Sequence, residues 1–136
     1  MPGDGRRYVQ RMIEDLLPEH WKQFAFAHSL VGKEVEFPWP GEDGLMAVIE
    51  ILDDIGVENE ARRAYPGIVV FSDGFVPIGA CSIGTGDPYL INLHDGPYGP
   101  IYKIDHAQVH NSGYNRETAV TKMLESYRDL LNYVST

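Results

Sequence analysis

The sequence predicts an α+β fold: an antiparallel, meander-like β-sheet, with N-terminal helices leading into it and a C-terminal amphipathic helix packed on it. Three observations point there. Apolar residues recur at helical spacing near both ends. The middle of the chain holds short runs of β-branched and aromatic residues. The links between those runs are short and rich in Gly and Pro, which suits hairpins and not crossovers.

Taken in order, Val9, Met12, Ile13, Leu16 and Leu17 form one apolar face, so Tyr8 to Leu17 reads as a helix. Pro18 interrupts it and opens a second, whose inner side carries Trp21, Phe24, Ala25 and His28. Val35 and Phe37 alternate with Glu34 and Glu36, the pattern of a short strand. Leu45, Val48, Ile49, Leu52 and Ile55 return to helical spacing, although Ala47 to Leu52 also suits a buried strand. Strands are expected at Ile68–Phe71, Phe75–Ile78, Tyr89–Leu93 and Ile101–Ile104. Pro77 within the second of these calls for an edge or a bulge. Gly79, Gly84 and Gly86 imply a bend or a close backbone approach. Val120, Met123, Leu124, Tyr127, Leu130, Leu131 and Val134 fit one long amphipathic helix, with Asn115 as N-cap and Glu117 in its first turn.

The chain of 136 residues reads as one domain, 1–136. Its longest apolar run, Leu45–Ile49, is five residues, against the roughly 20 that a spanning helix needs. The first residues lack the apolar core of a secretory leader, so a cytoplasmic protein without membrane attachment is expected. One cysteine, Cys81, rules out an intramolecular disulfide and reads as a buried, inert thiol, since no Lys or Arg lies close to it in sequence. Twenty acidic against eleven basic residues give a net charge of −9. That surface repels phosphate backbones and disfavours nucleic acid, while it attracts basic protein partners.

The order of motifs is similar to the SUKH superfamily, the Smi/Knr-like cell-wall regulators and their many bacterial relatives. The resemblance is carried by the helix leading into Leu17-Pro18, the Phe75-Val76-Pro77-Ile78-Gly79 strand, and the run from Gly84 to Ile91. It continues through Gly99-Pro100-Ile101-Tyr102 and Asp105-His106 to Ser126-Tyr127. The chain departs from the family between Val31 and Pro66. What the resemblance implies is an α+β fold without catalysis, with Gly79, Gly84, Gly86, Asp87, Pro100 and His106 in structural roles. Many bacterial members are immunity proteins that bind a toxin, often a nuclease, and occlude its active site or substrate groove. A regulatory or scaffold role with no toxin partner is the alternative within the family.

Residue chemistry adds candidates for the partner surface. Large rings beside carboxylates make good interface material, which singles out Tyr98 near Asp95, Tyr114 beside Asn115, and the acidic Glu58. The competing enzymatic reading is a small metal-dependent hydrolase built on Asp87, Asp105, His106 and His110. Two histidines four apart face together only on a helix, and Ser112-Gly113 just beyond favours a loop. Gly84-Thr85-Gly86-Asp87 lacks the spacing and lysine of a phosphate loop, and reads as a tight turn in which Asp87 bonds backbone amides. Asp53/Asp54 and Glu58/Glu60 read as solvated carboxylates, and His20 and His28 as helix packing around Phe24. Neither catalytic residue, metal nor cofactor is expected.

Overall fold

Alternating burial sets the sheet. In β1 (Glu34–Pro38) Val35 and Phe37 point inward between exposed neighbours, and in β2 (Met46–Ile51) Ala47, Ile49 and Ile51 do the same. The computed structural model describes residues 17–53, 56–57, 73–81, 87–110 and 113–134, the side chain of His106 excepted. Three more long strands follow: β3 (Phe75–Cys81), β4 (Pro88–Asn92) and β5 (Ile101–Ile104). A small hairpin, β6 (Val109–His110) with β7 (Gly113–Tyr114), precedes β8 (Val120–Leu124). The main sheet runs β1-β2-β3-β4-β5-β8, with every neighbour antiparallel. Short loops suit the β1–β2, β3–β4 and β4–β5 hairpins, whereas longer connections join β2 to β3 and β5 to β8.

One face of the sheet is clad throughout and the other only over β3 to β5. The helix α1 (Glu19–Ala27) buries Trp21, Phe24 and Ala25 in a core with Phe37, Ile49, Ile78, Tyr89, Ile91 and Tyr127. On the opposite face Phe75, Leu90, Tyr102 and Ile104 pack with Val109 of the small hairpin and Ala119 of α2 (Arg116–Ala119). β3 is an interior strand, so Pro77 requires relief. A register shift between Pro77 and Gly79 supplies it as a bulge. Gly79 then lies so close to β2 that a Cβ would stand 2.4 Å from Ile49 Cγ1. Only glycine lets these two strands approach.

Several expectations need correction. Val120 to Val134 is no long helix: Asn115 caps a single turn with its carboxamide on the Glu117 amide, and the chain then extends into β8. Ser126 caps a 3-10 helix, Tyr127–Asn132. The unpaired edge of β5 is the reason, since β8 satisfies its backbone from Ile101 to Ile104. Of the two readings left open for Leu45 to Ile55, the strand holds over Met46–Ile51, because β2 is hydrogen-bonded on both sides. Cys81 is half-buried at the end of β3. The expected helix Tyr8–Leu17 (Leu17 apart), the strand Ile68–Phe71, and Ile55, Glu58, Glu60, Gly84 and Gly86 lie outside the described residues. No described helix is long and apolar enough to cross a membrane.

Candidate functional site

The connection from β4 to β5 is held as a rigid loop that reaches both faces of the sheet. Asn92, 4% exposed, pins its start: its carboxamide accepts from the His94 amide and donates to the Asp73 carbonyl. Leu93 N–H donates to the Gly74 carbonyl, so the β3 entry and the β4 exit are stitched together. A side chain at Gly74 would collide with His94, its Cβ standing 2.8 Å from Cδ2. Gly99, whose carbonyl accepts from Tyr127 N–H at 2.8 Å, closes the loop.

From this loop Asp95 faces one side. Its carboxylate accepts from Tyr102 O–H at 2.9 Å, while Asp73 accepts from Tyr114 O–H at 2.5 Å. Burial, then the adjacent carboxylates, push both phenols up, against a smaller opposing pull from Arg116. The Arg116 guanidinium itself lies 5.0 Å from the Phe75 ring centre. Two carboxylates and one cation therefore act on the same pair of phenols, and the patch keeps a negative excess.

Tyr98 faces the other side. It is 54% exposed and holds φ at 61°, left-handed backbone that bulky residues rarely adopt. Its ring is not loose. It packs against Tyr127 at 5.4 Å and edge-on to Phe24 at 6.4 Å, with the Arg128 guanidinium 5.9 Å over it. The Tyr127 hydroxyl and His20 Nδ1 share a 2.7 Å hydrogen bond beneath. Burial raises the Tyr127 hydroxyl's pKa, partly offset by a bond from the Tyr98 backbone, and burial lowers that of His20. His20 thus stacks on Tyr127, whereas His28 packs on Phe24.

Of the sequence candidates, Asp95, Tyr98 and Tyr114 come together around this loop. Glu58 lies outside the described residues. Asp73, Asn92, Tyr102 and Arg116 belong to the patch and were missed. Ser72-Asp73-Gly74 is a turn signal in the sequence, but nothing there ties that turn to Tyr114 forty-one positions on.

The residues of the enzymatic reading disperse. Asp87 is buried, with its carboxylate 2.8 Å from Lys103 Nζ, so it forms an ion pair within the core layer, while the Gly84–Gly86 part of its expected turn lies outside the described residues. Asp105 accepts from the Ala107 amide, in a 3-10 turn (His106–Gln108) that leads into β6. His110 is exposed on that strand. The 105–110 segment is not an α-helix, so His106 and His110 do not share a helical face. Among the described residues no group of three His, Cys, Asp or Glu side chains is placed to hold a metal ion.

No protein-family model, curated protein or solved structure matches the chain.

Proposed function

We propose that this chain is a protein-binding module on a SUKH-like scaffold, and that it acts as a bacterial immunity protein neutralising a basic, nuclease-type toxin. The observation that carries the reading is the 93–99 loop. It is pinned at both ends and presents an exposed, backbone-strained Tyr98 on one side and the Asp95/Asp73 patch on the other. An ordered ring loses little freedom on binding, and backbone strain concentrates where function demands a fixed pose. The net charge of −9 favours a cationic partner, as a nuclease must be to hold phosphate. Neutralisation on this reading is occlusion: the loop covers the partner's phosphate groove, and no bond is made or broken.

The test is co-expression with the toxin encoded beside this gene, together with calorimetry of the two purified proteins. Rescued growth and a stoichiometric complex are expected. Continued killing with no measurable heat would remove the immunity role.

A further inference from the structure

We infer that β1 is a docking edge for an extended, cationic segment of another protein, which adds itself to the sheet as a further strand. β1 ends the main sheet, so among the described residues one side of its backbone has no strand partner. Which groups face outward follows from the ladder. Trp39 N–H donates to the Leu45 carbonyl and Ile51 N–H to the Lys33 carbonyl. Bonded and non-bonded pairs alternate in antiparallel sheets. In this register Val35↔Ile49 and Phe37↔Ala47 are therefore the bonded pairs. The N–H groups of Glu34 and Glu36, and the carbonyls of Glu34, Glu36 and Pro38, are left pointing away from β2. Pro38 has no donor to lose there, which is where a strand tolerates proline.

The side chains choose the occupant. Glu34 stands directly opposite Glu50, in a non-bonded pair, the kind that brings side chains closest. Like charges so placed are mutually destabilising. Glu36 lies exposed on the same face, and Glu50's other cross-strand neighbour is Ala80. Among the described residues none of these three carboxylates has an ion pair, since the ion pairs formed are Lys22–Glu19, Lys103–Asp87 and Lys122–Glu125. A strand laid along β1 would set every second side chain beside Glu34 and Glu36, and Lys or Arg there relieves the repulsion. A second copy is the wrong occupant, because pairing β1 with β1 would align the same carboxylates against one another. This surface does not rest on the toxin reading; it shares with it only the sign of the partner's charge.

The probe is an end-blocked octapeptide of alternating Lys and Val, titrated into the full chain carrying ¹⁵N. Expected are shifts over residues 34–38 and slowed hydrogen exchange at the Glu34 and Glu36 amides. The double variant Glu34→Lys/Glu36→Lys should weaken binding roughly tenfold and bind the alternating Glu-Val peptide instead. Shifts scattered over other carboxylates without amide protection overturn the inference. So does no response up to the peptide's solubility limit, or a concentration-dependent dimer protected at β1. In any of those cases the 93–99 loop stands or falls separately, on Tyr98 and Asp95 variants that leave β1 untouched.

Discussion

Lys103 and Asp87 meet at 2.8 Å with side chains only 11% and 6% exposed, and the ammonium also lies 4.8 Å from the centre of the Trp39 ring. Lys103 sits opposite Tyr89 in the β4–β5 ladder, so Asp87 is its diagonal neighbour on the same face. Removing a buried ion from water is costly, and the pair persists because each charge answers the other. Lys103→Met therefore takes the Lys103 cation from a buried carboxylate, and a loss of about 3 kcal/mol is expected in urea unfolding. Adding Asp87→Leu should return part of it. A double variant as unstable as the summed singles would show that the two residues act independently.

The Tyr89 hydroxyl is fully buried and is the one buried side-chain polar atom, among the described residues, without a hydrogen-bond partner. Burial, with Cys81 and Asp87 close by, drives its pKa far above the ordinary phenol value, so the group stays neutral. An unsatisfied buried hydroxyl costs about 1 kcal/mol or more. Tyr89→Phe keeps the edge-on packing against Phe37 and removes that cost. Unfolding should shift to higher urea by about that amount; a clear loss of stability would mean the hydroxyl has a partner in solution.

Acid should weaken the floor beneath Tyr98. Burial holds His20 below its ordinary pKa of 6.5, and its Nδ1 is engaged with Tyr127. As pH falls through that ordinary value, the unfolded chain takes up a proton that the folded chain still refuses. Stability is therefore full above about pH 6.5 and declines below it, until the folded His20 also protonates. His20→Gln should flatten this part of the profile. The measurement is unfolding free energy across the pH range for both proteins, and parallel curves would clear His20 of the effect.

Much of the sheet was legible because its signals were local. Val35 and Phe37 alternate with glutamates, and Pro77 called for an edge or a bulge, of which the register shows the bulge. The C-terminal stretch misled because spacing alone does not distinguish a helix from a strand followed by a turn. Val120 packs on one face of the sheet while Met123, Tyr127 and Leu130 reach the other core, and Leu131 and Tyr133 stay partly exposed. A single helix would have buried one stripe; the demand of β5 for a backbone partner overrode that periodicity. The patch was legible only in part, since the Asp73–Tyr114 and Asp95–Tyr102 bonds depend on which turns the ladder brings together.

The Glu34–Glu50 pair makes a separate forecast for the isolated protein. Glu50→Lys turns a like-charge pair into an opposite one on the solvent face, while Ala80 on the other side gives no hindrance. A gain of about 0.5 kcal/mol is expected at low salt, shrinking as ionic strength rises. Equal stability of the two proteins at low salt would show that the carboxylates avoid each other by rotation.

The proposed binding role separates steering from grip. Asp95 carries charge towards the partner, so Asp95→Lys should slow association and flatten its dependence on salt, with a smaller effect on dissociation. That variant also breaks the bond from Tyr102. Tyr102→Phe removes the same bond and keeps the carboxylate, so it should leave the association rate intact. Tyr98 supplies grip: its ring is ordered by Tyr127, Phe24 and Arg128 before any partner arrives. Tyr98→Ala should therefore act on dissociation, weakening the complex by about 2 kcal/mol or more, as central aromatic anchors do. Stopped-flow mixing with the toxin at several salt concentrations resolves both rates. If Tyr102→Phe slows association as much as Asp95→Lys does, the loop works through its shape and not its charge.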